Sequence, residues 1–173
     1  MFPNLSNQSR AERDSLLTHI ASAFANVSRG EQAMSWRECY AYDIDGPEYH
    51  REAVRVWDTD THWSQLVDRP SWVPFPGVGG FSFINAEGFR YYLPPTMIRF
   101  LRGEDVHEAW ALLAPIDQFT TNENLPLWTE PQLQTIARFI DFMARHDPDA
   151  LRDPDDPNQW ANAITQRWHS YLP

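Results

Sequence analysis

The chain has 173 residues, enough for one hydrophobic core and short for two. Hydrophobic residues make up 42% and aromatics 14%, too much apolar matter for a disordered chain. The 24 acids outnumber 14 bases, all of them Arg, and the net charge of −10 argues against nucleic acid and an anionic membrane as partners.

Taken in chain order, residues 1–8 read as a disordered N-terminus and residues 9–173 as a single helical domain. Ser9 with Glu12 has capping-box spacing, and Leu16, Leu17, Ile20, Ala21 and Phe24 repeat at helical intervals up to Gly30. A second box, Ser35 with Glu38, opens a short helix that stops near Asp45-Gly46. Pro47 suits the first turn of a third helix carrying Val54, Trp57 and Tyr49. Residues 64–80 cannot sustain a helix, because Pro70, Pro74, Pro76, Gly77, Gly79 and Gly80 punctuate them. Phe81–Ile84 is the one stretch that reads as a short strand.

From Asn85, a predicted cap, Phe89, Tyr92 and Leu93 share one side of a helix. Pro94-Pro95 are expected to break and restart it, and the chain then runs helical to Gly103. Residues 104–114 predict a helix burying Val106, Trp110 and Leu113 and stopped by Pro115, followed by a polar connection over 116–128. Thr129 with Gln132 forms a further box, and Leu133, Ile136, Ala137, Ile140 and Met143 make the strongest apolar stripe. Residues 157–172 place Trp160, Ile164, Trp168 and Tyr171 on a last amphipathic helix. The predicted fold class is all-α, an irregular bundle of about seven short helices with at most one minor β-hairpin.

Phe83-Ile84-Asn85-Ala86-Glu87-Gly88-Phe89-Arg90-Tyr91-Tyr92-Leu93-Pro94-Pro95-Thr96-Met97 resembles the hallmark of a small bacterial family of unknown function. Its members look like Phe-x-(Asp/Asn)-x-Glu-(Gly/Ala)-Phe-Arg-x-Tyr-Leu-Pro-x-x-Met. Asp58-Thr59-Asp60-Thr61-His62-Trp63 resembles a second shared element, although relatives often place Arg where this chain has His62. The resemblance covers 21 of 173 residues and implies a family without implying an activity. As structure, Glu87 and Arg90 have the spacing of an ion pair, Phe89, Tyr92 and Leu93 supply core, and Pro94 fixes a corner. As function, Glu87, Arg90 and Tyr91 would form a polar patch meeting a ligand.

Few residues gather as reaction chemistry would require. Of six His, none belongs to a His-Glu-x-x-His pair, since His107-Glu108 lacks the second ligand. Asp58, Asp60 and His62, with His50, are candidate metal ligands for a metal-assisted hydrolase. The same Asp-x-Asp pattern also suits helix ends, where carboxylates accept backbone donors. The sole cysteine, Cys39, excludes an internal disulfide, fits a reducing compartment and reads as a small buried residue. Gly77–Gly80 lacks the spacing of a nucleotide-binding loop, and the Pro-interrupted acidic run at 147–157 lacks the glycine of a calcium loop. No cofactor is expected.

That acidic run reads instead as an exposed anionic linker suited to docking. Trp110, Trp160 and Trp168 are expected in the core, whereas Trp63, Trp72 and Trp128 flank loops, with at least one an exposed anchor. The leading expectation is a protein-binding inhibitor of the immunity-protein type that covers the active site of a basic toxin or enzyme. Its contacts would be Asp149, Asp153, Asp155 and Asp156, then Asp58, Asp60, Trp63 and Trp72. The alternatives are the metal-assisted hydrolase and a regulatory or structural subunit. With no basic-then-apolar leader and no apolar run of membrane length, the expected compartment is the cytoplasm.

Overall fold

The computed structural model describes residues 2, 5–46, 51–74, 80–104, 109–147 and 158–173. Among these there are eight α-helices, four 3-10 turns and no sheet, an all-α bundle. The helices are α1 (Asn7–Ala23), α2 (Trp36–Asp45), α3 (Arg51–Arg55), α4 (Ser64–Val67), α5 (Ala86–Leu101), α6 (Leu113–Phe119), α7 (Glu130–His146) and α8 (Gln159–Gln166). No helix among the described residues is long and apolar enough to cross a membrane.

The centre is α5. Every one of its residues is buried except Glu87 and Arg90, as an apolar helix surrounded by others must be. It packs against α1, α4 and α6, while α7 packs on α1 and α8. Phe89, Tyr91, Tyr92, Phe100, Ile136, Phe139, Phe142, Trp160 and Trp168 join one apolar cluster running from Phe2 to Trp168. Asn85 caps α5 by accepting from the Gly88 amide at 3.0 Å. Its side chain also accepts from the Met34 amide at 2.9 Å and donates to the Gln32 carbonyl at 2.7 Å, clamping a distant loop. Gly88 lets that loop approach, for a Cβ there would stand 2.8 Å from the Met34 carbonyl oxygen and 2.7 Å from Ile84.

Two capping boxes stand where their sequence signals lie, Ser35 with Glu38 on α2 and Thr129 with Gln132 on α7. The first helix starts earlier than Ser9 and ends before Gly30. Ser6 is its cap, accepting from the Ser9 amide at 3.1 Å, and Phe24 closes it. Phe2, within the segment expected to be disordered, is buried edge-on to Phe142 at 5.7 Å.

The predicted strand at 81–84 does not form: Phe81 and Ser82 belong to a 3-10 turn at Gly80–Ser82 and Phe83-Ile84 are irregular, while α4 lies inside the segment expected to be helix-free. Helix α5 runs unbroken through Pro94-Pro95. Those prolines remove two amide donors and cost the Arg90 and Tyr91 carbonyls their ladder bonds. Burial of both faces of the helix outweighs that loss. Pro115 does not stop a helix but sits in the first turn of α6, where no amide is needed, and α6 together with a 3-10 turn at Asn122–Leu127 takes up most of the expected connection. The last helix also breaks, at Arg167, before a 3-10 turn at Trp168–Tyr171.

Candidate functional site

The two segments that carry the family resemblance meet. Tyr91 of α5 donates its hydroxyl to Asp60 Oδ2 at 2.9 Å, while Arg69 Nη1 reaches Asp60 Oδ1 at 3.1 Å. Arg29 lies on the same carboxylate, its Nε 4.0 Å from Oδ2. The Asp60 side chain is only 2% exposed, so it enters the interior with its charge matched and its oxygens bonded. Burial above all, and then the Asp60 charge, push the Tyr91 phenol well above its ordinary value and hold it as a donor. The sequence had suggested Tyr91 for a polar surface patch. It is fully buried instead.

Asp58 does different work. Its carboxylate accepts from the Arg37 amide at 2.9 Å, and its Oδ1 lies 3.5 Å from Arg37 Nε. One residue back, the Trp36 amide donates to the Tyr92 hydroxyl at 2.8 Å, and one residue on, the Glu38 amide donates to Ser35 Oγ at 3.3 Å. The free amides opening α2 are thus each satisfied, two of them by residues distant in sequence. Asp58 is a helix cap supplied from outside the helix, with its negative charge on the positive end of the dipole. Arg29 Nη2 also donates to the Asp58 carbonyl, closing the loop around Asp60.

His62 faces elsewhere. Its Nε2 donates to the Ala25 carbonyl at 3.1 Å and its Nδ1 pairs with Ser64 Oγ at 2.8 Å, so both ring nitrogens are engaged. Ser28 and His62 form an isolated antiparallel bridge, reinforced by the Arg29 amide to the Thr61 carbonyl at 3.1 Å. Among the described residues no three His, Cys, Asp or Glu stand close enough to hold a metal ion together. Asp58, Asp60 and His62 are therefore not gathered into the metal cluster that the hydrolase reading needs. His50 lies outside the described residues.

The tryptophans expected as surface anchors are all interior. Trp63 is buried and donates its indole nitrogen to the Phe24 carbonyl at 2.8 Å, and Trp128 is buried with its own bonded to the Phe119 carbonyl at 2.6 Å. Trp72 is buried too, edge-on to Trp36 at 5.4 Å and stacked on Tyr92 at 6.1 Å, and its indole nitrogen has no partner among the described residues. Exposed tryptophans are Trp110, which the sequence placed in the core, and Trp57, expected on the third helix. Asp149, Asp153, Asp155 and Asp156 lie outside the described residues.

Above this network opens a cleft of about 240 Å³, with Trp36, Trp72 and Tyr92 lining it beside Asp58 and Asp60 and with Tyr40 and Trp57 among its walls. Tyr40 and Trp57 are respectively 57% and 68% exposed. Ile44, one turn beyond Tyr40 on α2, and Val56, next to Trp57, are exposed as well. The signal that would have found this surface is the spacing of Tyr40 and Ile44, which puts both on the side of α2 away from buried Cys39.

A second cleft, of about 540 Å³, lies between α1 and α7 and takes in Arg90 of α5. Arg90 does not pair with Glu87 as their spacing suggested. Its Nε donates to Gln132 Oε1 at 3.3 Å. Gln132 is buried, and its amide nitrogen donates to the Ala23 carbonyl at 3.1 Å, so this one side chain ties α1, α5 and α7 together.

No curated protein and no solved structure matches this chain. The model of a family of unknown function, DUF6714, matches residues 12–172, and the chain belongs to that family.

Proposed function

We propose that this chain is a protein-binding inhibitor of the immunity-protein type, which neutralises a basic toxin or enzyme by covering its active site. The observation that carries the reading is the exposed group formed by Tyr40, Ile44, Val56 and Trp57 on α2 and beyond α3. Single exposed apolar residues are ordinary on a monomer, but an aromatic pair walling one cleft with aliphatic neighbours has the character of a binding surface. Trp and Tyr are the residues that most often anchor an interface, because they offer large rigid area with a polar end.

The net charge of −10 supplies the second half of the argument. A chain this acidic attracts a cationic surface over long range, which speeds encounter, and apolar anchors then slow release. Asp149, Asp153, Asp155 and Asp156 remain the proposed steering charges. Asp58 borders the cleft and is positioned to meet a partner; Asp60 and Trp72 line it but are buried, and Trp63 is buried against the Phe24 carbonyl.

The test is capture of the partner with the intact chain, followed by assay of that partner's own activity. The reading expects a basic protein whose activity falls to background at a one-to-one ratio. Tyr40→Ser combined with Trp57→Ser should abolish inhibition while leaving the circular dichroism spectrum unchanged. A captured protein that stays fully active in the complex, or inhibition untouched by the double substitution, overturns it.

A further inference from the structure

Among the described residues, nine of the twelve arginine side chains meet a carboxylate. Those at 13, 29, 37, 55, 69, 99, 102, 145 and 167 each have one within 4.0 Å. Among the described side chains, Arg10, Arg90 and Arg138 are the ones that do not. Arg10 is exposed on the outer side of α1. Arg90 and Arg138 line the same cleft of about 540 Å³, and so does His19. Among the described residues no Asp or Glu lines that cleft.

The walls follow from helix periodicity. His19, Ser22, Ala23 and Asn26 are spaced as one face of α1 continued past its end, and Pro131, Gln134, Thr135 and Arg138 are spaced as one face of α7. The two polar faces oppose each other, with Arg90 between them. Arg90 is half-buried, and burial lowers its guanidinium from the ordinary value because no opposing charge compensates for the lost water. Its Nε is fixed on Gln132, and its terminal nitrogens have no partner among the described residues.

Arg138 is positioned by a neutral group. Its Nη1 approaches His19 Nε2 at 3.2 Å, and His19 Nδ1 lies 2.8 Å from the Ser15 carbonyl. A carbonyl only accepts, so Nδ1 carries the proton and Nε2 is the acceptor that Arg138 uses. That contact orients the guanidinium without neutralising it. The amino-terminal end of α7, with Thr129 and Pro131 on the cleft, adds the positive end of a long helix dipole.

We propose that this groove is a binding site for a small ligand bearing an oxyanion, carboxylate or phosphate, held by the guanidinium groups of Arg90 and Arg138. Planar guanidinium forks grip such groups with paired hydrogen bonds, and the cleft has the volume of a small-molecule site. The site lies on different helices from the aromatic surface and stands independently of the inhibitor reading.

The test uses inorganic phosphate and citrate as separate probes, by calorimetry and by thermal unfolding of the intact chain at low ionic strength, against chloride at matched ionic strength. At about a hundred times the Kd, the bound probe should raise Tm by roughly 5–10 °C. Arg138→Gln and Arg90→Gln should each weaken the affinity about tenfold or more, and Arg10→Gln should leave it unchanged. Binding of phosphate alone or citrate alone assigns the oxyanion class, and binding of both supports the shared chemistry. No binding of either probe overturns the proposal. So does an affinity unchanged in Arg138→Gln, a surface substitution that serves even where Arg90→Gln impairs folding.

Discussion

Replacing Asp60 with Ala should destabilise the fold more than any other single acid substitution among the described residues. The carboxylate is 2% exposed and serves three partners: the Tyr91 hydroxyl at 2.9 Å, Arg69 at 3.1 Å and Arg29 at 4.0 Å. Arg69 is a third exposed and water replaces much of what it loses. Arg29 and Tyr91 have no such recourse. The Arg29 side chain is 10% exposed and Tyr91 is fully buried, so truncation leaves an enclosed cation and an enclosed hydroxyl unmatched. Removing one member of a buried pair costs about 3–5 kcal/mol. For a chain of this size that lowers Tm by roughly 6–20 °C. Asp58→Ala removes a cap at the rim and should cost only about 0.5–2 kcal/mol. Urea unfolding of both variants, with Tyr91→Phe added to close a double-mutant cycle, measures these terms, and the Asp60–Tyr91 coupling should be about 1.5–3 kcal/mol. The reasoning fails if Asp60→Ala lies within about 1 kcal/mol of the parent, or if Asp58→Ala costs as much as Asp60→Ala.

Trp63→Phe should cost about 1 kcal/mol more than Trp72→Phe in the same urea assay. Both delete part of a buried ring system, but only Trp63 gives up a bond, leaving the Phe24 carbonyl short of its donor. Gly88→Ala should cost about 1–3 kcal/mol by forcing the Met34 loop away from α5, and Asn85→Ala should loosen the same loop, both visible as faster hydrogen exchange at residues 32–36. The bond from Arg145, chiefly, holds the Glu12 carboxyl below its ordinary range. A lowered carboxylate value means that the stabilisation is whole above that range and is lost as pH falls through the folded-state value. Arg145→Gln should therefore lower stability by less than about 1 kcal/mol near pH 7, since the pair is substantially exposed, and flatten the acid limb of the stability profile.

What the sequence revealed and what it concealed divide along chain distance. Ser35 with Glu38, Asn85, and Thr129 with Gln132 mark helix starts because a cap and its amide lie three residues apart. Pro94-Pro95 misled because the burial that overrides their local cost comes from α1, α4 and α6, packed around α5. Ser6 and Ser9 compete as caps for one helix, and the spacing alone does not choose between them. Asp58 and Asp60 stood out as acids, yet what each does depends on Arg37, Tyr91 and Arg29, brought up from 21 to 31 residues away. Of the basic residues in the groove, the sequence marked Arg90 alone, through the family hallmark, and nothing marked His19 or Arg138. The groove is a consequence of how α1 and α7 set their polar faces toward each other.

The measurement that bears most directly on the whole account compares two variants, Tyr40→Ser with Trp57→Ser and Asp60→Ala, for partner binding and for Tm. The surface double variant should keep its Tm within a few degrees of the parent and release the partner at least a hundredfold faster. Asp60→Ala should melt far lower and, below its own Tm, bind as the parent does. The opposite pattern, binding lost with Asp60 and retained without the two exposed rings, would place function in the acid network and contradict the assignment of that network to the fold.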